Sequence, residues 1–232
     1  MSTDRCSRNP RSPFSRFLMA AVSVLALSGC ATTADNPDPY EGFNRAMFRV
    51  NEGIDVVFKP IAQGYDAVTP QPVRTGIGNF FGNLEDVWIS VNNLLQGKPV
   101  EGVSDAWRFV INSTIGLGGV LDFASEMGLE KHSEDFGQTL AVWGVGEGAY
   151  LFWPVIGPRT VRDTAGFVVD LYGDPLTYVD NIRLRNALWG VRLVDRRASL
   201  LPSEKVVEEA AFDKYTYIRD AYLQNRRSEI EN

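Results

Sequence analysis

Val73-Arg-Thr-Gly-Ile-Gly-Asn-Phe-Phe-Gly-Asn-Leu-Glu-Asp-Val-Trp-Ile-Ser-Val-Asn-Asn-Leu-Leu95 carries two stripes at once. Val73, Ile77, Phe80, Leu84, Val87/Trp88, Val91 and Leu94/Leu95 recur at helical spacing and predict a long helix stopped by Gly97 and Pro99. Beside them Gly76, Asn79, Asn83, Asp86, Ser90 and Asn93 follow at spacing 3-4-3-4-3. An ordinary surface helix fills its outward face with Lys and Glu. Here Arg74, Glu85 and Asp86 are the only charges. Two readings fit. The helix is packed on both sides, with the small residues permitting close approach, or it stands between an apolar environment and a narrow hydrated passage that these six residues line.

Helical periodicity continues on either side. Phe43, Met47, Val50, Ile54, Val57 and Phe58 predict a helix ended by Pro60, and Pro70 and Pro72 mark the next turn. Val100, Val103, Trp107, Val110 and Ile111 predict another helix, running to Gly116. Ile182–Arg197 and Ser203–Asn225 read as two more. Strand alternation is hard to find, so the expected fold is a single mainly α domain over 40–225 with a polar tail at 226–232. Between the helices, Gly137–Pro158 holds five glycines, two prolines and four Trp, Tyr or Phe residues with Glu147 as its only charge. It suits a core-packed loop or an interfacial segment with an aromatic belt. Its glycines and prolines would break a lone transmembrane helix.

The amino terminus reads as an address. Arg5, Arg8, Arg11 and Arg16 precede an apolar run, Phe17–Leu27, too short to span a bilayer. The run ends in Leu27-Ser-Gly-Cys30, a lipoprotein processing site whose thiol accepts a diacylglycerol before cleavage at its amino side. Residues 1–29 are the expected signal peptide and 30–39 a polar, proline-marked tether. Cys30 would carry the covalent N-acyl and S-diacylglycerol groups that anchor the chain, since a single acyl chain binds membranes only marginally. Ala31, rather than aspartate, follows the cysteine and favours the outer membrane. The whole chain is 232 residues at net −6; removing four arginines and one aspartate leaves 19 Lys+Arg against 28 Asp+Glu, or −9. Such an acidic balance argues against nucleic acid.

Catalytic patterns are weak. Gly144-x-Gly146-x-x-Ala149 resembles a dinucleotide fingerprint, but Pro154, Gly157 and Pro158 disrupt the helix it requires. His132 is the lone histidine, set among Glu130, Lys131, Ser133, Glu134 and Asp135 in what reads as an exposed polar loop, and no Gly-x-Ser-x-Gly elbow exists. No cofactor and no metal site are expected, and a periplasmic enzyme would lack a nucleophile–base pair.

Several segments of the chain form a distinctive set. They are Asp38-Pro-Tyr-Glu-Gly-Phe-Asn-Arg45, Lys59-Pro60-Ile-Ala with Gly64-Tyr65, Asn79-Phe80-x-x-Asn83-Leu84 and Asn92-x-Leu94-Leu95-Gln96-Gly97. Further on come Arg108-Phe109-x-x-Asn112-Ser-Thr-Ile-Gly116-x-Gly118-Gly119, Asp122-x-Ala124 and Phe136-Gly-Gln-Thr-Leu140. Trp143-Gly144-Val-Gly146-x-Gly148-x-Tyr150 and Pro154-x-x-Gly157-Pro158 with Arg162-Asp163 complete the set. Together these segments resemble the MlaA (VacJ) family of outer-membrane lipoproteins, and the resemblance implies a ring-like helical protein in the inner leaflet of the outer membrane, complexed with a porin trimer. It implies removal of phospholipids mislocalised to the outer leaflet and their transfer to a soluble periplasmic carrier. On that reading Gly76, Asn79, Asn83, Asp86, Ser90 and Asn93 line the passage. Gly116, Gly118, Gly119, Gly144, Gly146 and Gly148 form loops at its mouth. A structural tether gripping porin or cell wall would use the same helices without a passage.

Overall fold

The computed structural model describes residues 36–231, so Cys30, the signal segment and most of the tether lie outside the described residues. Nine α-helices and one β hairpin make up the described chain. Helix α1 (Glu41–Val68) does not end at Pro60. Proline removes a single intrahelical bond, to the Val56 carbonyl, and Val56 is exposed, so the helix passes through it. Helix α2 (Gln71–Leu95) and helix α3 (Pro99–Thr114) each place a proline in the first turn, where its missing N–H costs nothing.

A short α4 (Phe123–Glu126) is capped by Asp122, which accepts from the Ser125 amide at 3.1 Å. Helix α5 (Phe136–Val142) opens on a reciprocal capping box between Asp135 and Gln138. Strands β1 (Tyr150–Trp153) and β2 (Gly157–Thr160) then pair antiparallel, with Leu151 opposite Arg159. The Gly137–Pro158 stretch is therefore a short helix and most of a hairpin rather than a plain loop. Four-residue strands are too short for alternation to be legible.

Helix α6 (Val161–Gly173) is capped by Thr160 and is followed by a 3-10 turn, Pro175–Tyr178. Helix α7 (Ile182–Ser199) starts on Asn181, whose side chain accepts from the amides of Arg183 and Leu184. The expected single helix 203–225 is two, α8 (Leu201–Ala210) and α9 (Lys214–Glu231). Asp213 breaks it by accepting from the amides of Tyr215 at 3.0 Å and Thr216 at 3.4 Å, the local competition that favours a fresh helix start. The expected polar tail is likewise helical through Glu231, because Arg226 is buried and ion-paired to Asp135 and Asp163.

The apolar core sits where α1, the hairpin and α9 meet: Phe48, Tyr150, Phe152, Tyr215 and Leu223. Phe48 lies edge-to-face on Phe152 and Tyr215, with centroids 5.2 and 5.7 Å apart. Buried Asn44 ties this junction together. Its amide donates to Asp38 at 2.8 Å and to the Tyr150 carbonyl at 2.9 Å, and its oxygen accepts from the Phe152 amide at 2.9 Å. Asp38 also accepts from Tyr215, so residues 37–38 of the expected tether are docked onto the domain.

Candidate functional site

Helix α3 is built inside out. Its buried residues are Gly102, Asp105, Arg108 and Asn112, while Val100, Val103, Trp107 and Val110 are exposed. Both sets follow helical spacing, so the helix is amphipathic with its polar face inward. Helix α2 meets it with the matching stripe: Gly76, Asn83, Asp86, Ser90 and Asn93 are buried. Asn93 donates to Asp105 at 2.7 Å, Asn83 to the Ser113 hydroxyl at 2.9 Å, and Ser90 to the Gly102 carbonyl at 2.7 Å. Half-buried Asn79 donates to the Val120 carbonyl at 3.1 Å. Of the six residues expected to line a passage, Asn83, Asp86, Ser90 and Asn93 lie in the seam between α2 and α3, and Gly76 and Asn79 lie against Val120 in the turn after α3.

Glycine makes that closure possible. A Cβ on Gly102 would stand 2.8 Å from Leu94 and 3.0 Å from the Ser90 carbonyl. One on Gly119, held at φ +94°, would stand 2.6 Å from Asn83. At the centre Arg108, 1% exposed, donates to both carboxylate oxygens of Asp122 at 3.0 and 3.1 Å and to the Leu129 carbonyl, and it faces Asp86 at 3.5 Å. Burial alone would raise Asp122, but hydrogen bonds from Ser125, Asn112 and Arg108 hold it down at about 2. Burial pushes Asp86 upward against the pull of Lys131 and Arg108. His132 is not in a free loop: half-buried, it places Nδ1 2.9 Å from Asp105.

The outer side of the same hairpin is apolar. Val100 is 76% exposed, Trp107 55% and Leu117 72%, and Val91, Leu94, Leu95, Val103, Val110 and Ile115 are also exposed. Trp143 donates to the Leu95 carbonyl at 3.0 Å and brings exposed Val142 and Val145 to this edge. Leaving such side chains out of a core forgoes on the order of 1–3 kcal/mol each. Nine of them forgo as much as the whole net stability of a domain. Across the described residues sixteen buried side chains are polar or charged and twelve are hydrophobic. No helix of the described residues is long and apolar enough to cross a membrane.

The glycines expected at a passage mouth divide. Gly116 and Gly119 are buried in the turn that docks on α2, where a Cβ on Gly116 would meet the Leu121 carbonyl at 2.2 Å. Gly118, at φ +73°, is open. Gly144 and Gly146 stand exposed beside Trp143, while Gly148 is buried against Val161.

A second polar centre lies between α5, α6 and α9. Asp163 accepts from Tyr222 at 2.6 Å, Arg226 at 3.1 Å and Arg162 at 3.0 Å. Burial would raise its pKa, but the charge and hydrogen bond of Arg226 keep it at about 2. Asp170 accepts from the Trp88 indole at 2.7 Å and the Phe136 amide at 2.9 Å, and burial pushes it upward. Apart from adjacent Arg162, these partners lie 34 to 82 residues away in sequence, so no local pattern announces them. The inward face of α3 was readable: Asp105, Arg108 and Asn112 keep helical spacing among apolar residues.

Polar seams inside and apolar helix faces outside define a mainly helical protein with an apolar outer surface on its α2–α3 hairpin. The chain belongs to the MlaA lipoprotein family, which it matches over residues 36–229. It is 33% identical over 218 residues to the intermembrane phospholipid transport system lipoprotein MlaA of Escherichia coli, covering 90% of this chain and 86% of that one. It is 33% identical over 227 residues to the protein of the same description from Haemophilus influenzae, covering 93% and 90%. A solved structure described as the structural basis for maintenance of bacterial outer membrane lipid asymmetry is 34% identical, with a TM-score of 0.72, covering 83% of this chain and 98% of that one.

Proposed function

We propose that this chain is the outer-membrane lipoprotein of an intermembrane phospholipid transport system. It extracts phospholipids mislocalised to the outer leaflet and passes them to a soluble periplasmic carrier, preserving lipid asymmetry. The observation that carries the reading is the inverted α2–α3 hairpin: its apolar side suits an acyl-chain environment that water would penalise. The relatives from Escherichia coli and Haemophilus influenzae are described as transport-system lipoproteins, and family membership supports the same role here. No bond is broken in such a task; the protein supplies a path with polar groups for a headgroup and apolar walls for the tails.

Cys30, acylated on its amine and its thiol, anchors the chain in the inner leaflet, and the domain lies in that leaflet beside a porin trimer. Deleting the chain from cells that carry it is expected to raise phospholipid in the outer leaflet, measured with an outer-membrane phospholipase or an amine-reactive probe. No rise would refute the transport reading and favour a tether that only grips porin or cell wall.

A further inference from the structure

The second polar centre contains one arginine that has no direct carboxylate partner. Arg159, on β2, is half-buried, and no carboxylate among the described residues stands within ion-pairing distance of it. Its Nε is buried without an acceptor, its Nη1 reaches only the Asp163 carbonyl at 3.5 Å, and Nη2 has no protein acceptor. The guanidinium lies 4.2 Å from the centre of the Phe167 ring on α6. Acids are present in the neighbourhood, but they are committed elsewhere. Asp163 serves Arg226, Arg162 and Tyr222; Asp170 serves Trp88 and Phe136; Asp135 serves Arg226 and the amide of Gln138.

Desolvating a guanidinium without a partner is unfavourable, and the protein normally answers it with a bidentate carboxylate. Here burial depresses the Arg159 pKa, against the weaker pull of Tyr222 and the surrounding acids. Alternation along β1 and β2 sets Arg159 with Leu151 and Trp153 on the face opposite the Tyr150–Phe152 core. A planar cation thus stands against the Phe167 ring on the hairpin face opposite the core, with an edge that no side chain of the described residues accepts from.

We infer that Arg159 binds the phosphate of a phospholipid headgroup, its free guanidinium edge donating to the phosphate oxygens while Phe167 and the apolar side of the hairpin flank the glycerol and chains. Arginine matches phosphate in charge and in fork geometry. This inference rests on the transport reading above.

The test uses the full lipidated chain, purified and stripped of lipid in detergent. It is then offered phosphatidylglycerol or diacylglycerol of identical chains in mixed micelles, and retained lipid is counted by mass spectrometry. The wild type is expected to retain phosphatidylglycerol over diacylglycerol. Arg159→Met is expected to lose about tenfold or more of that preference. An unchanged preference in Arg159→Met, with or without a lower melting temperature, overturns the assignment. If Arg159→Met does not fold, Arg159→Lys decides: a weakened preference supports the inference and a full one refutes it. A wild type retaining neither lipid refutes the transport reading itself. Equal stabilisation of the wild type by inorganic phosphate and by phosphatidylglycerol reassigns Arg159 to a free-anion site and overturns the inference.

Discussion

The two halves of this molecule obey opposite rules. Where α1, the β hairpin and α9 meet, aromatic rings are buried against one another, as expected of a chain folding in water. In the α2–α3 hairpin the buried layer is mostly Asn, Asp, Ser, Gly and Arg, with Phe81 and Ile89 of α2, and the exposed layer includes Val, Leu, Ile and Trp. The first arrangement is driven by removing apolar area from water. The second is held inside by hydrogen bonds and ion pairs and leaves its apolar side outward. On the proposed function that outward side of α2 and α3 is the one that meets lipid.

The comparison can be broken hardest at its centres. Arg108→Met leaves half-buried Asp122 without its cation and buried Asp86 with Lys131 alone, and is expected to cost about 3–5 kcal/mol. Phe152→Ala is expected to cost a similar amount, about 3–5 kcal/mol, through a cavity. Thermal melting in detergent checks both, and the discriminating variant is the pair Arg108→Met/Asp122→Asn. If electrostatics governs the seam, the second change recovers part of the first loss; simple additivity would mean that Arg108 acts by packing alone. Asp122→Asn added to Phe152→Ala should recover nothing.

Next in size is a change on the outer face. Val103→Lys removes no internal contact, so melting in detergent should move by less than about 0.5 kcal/mol. Placed in acyl chains, the same lysine is expected to cost about 2.5–3.5 kcal/mol of membrane affinity. Flotation with liposomes, using chains carrying Cys30→Ser so that the anchor does not mask the effect, reads it directly. Equal flotation of the two chains would mean that α3 does not face lipid.

Acid provides a gentler probe of the aqueous half. Asp163 has its folded pKa lowered, to about 2 from 3.8. Its contribution is fully present above the unfolded value and is lost as pH falls from about 4 through about 2. The shift corresponds to about 2 kcal/mol. Asp163→Asn should therefore flatten this part of the stability–pH curve, measured by chemical denaturation between those limits. An unaltered acid limb in the variant would assign the loss to other carboxylates.

How legible these two halves were follows from the range of their contacts. The stripe at Gly76–Asn93 and the apolar stripe of α3 are periodicities within single helices, so the sequence displayed both. Periodicity identifies two faces but does not say which one points inward, and that choice decided whether Asn83 and Asn93 line an open passage or a closed seam. The charged centre was hidden because Arg226, Asp135 and Asp163 come from three distant helices. Asp213 looked like an ordinary surface acid until its hydrogen bonds to Tyr215 and Thr216 divided α8 from α9.

The smallest expected effect compares two neighbouring glycines at the edge of the seam. Both Gly118 and Gly119 adopt positive φ, +73° and +94°, so alanine at either incurs left-handed backbone strain of about 1 kcal/mol. Gly118 faces open space, and Gly118→Ala should lose that amount and no more. Gly119 abuts Asn83, whose Cβ would lie 2.7 Å from the added carbon, so Gly119→Ala adds overpacking of about 1–3 kcal/mol. The difference between the two melting shifts isolates side-chain crowding from backbone strain at the same turn. A clear excess for Gly119→Ala means that the polar seam is rigidly closed on this side. Equal shifts would mean that Asn83 yields at little cost, and the turn after α3 would then be the place where the α2–α3 seam opens.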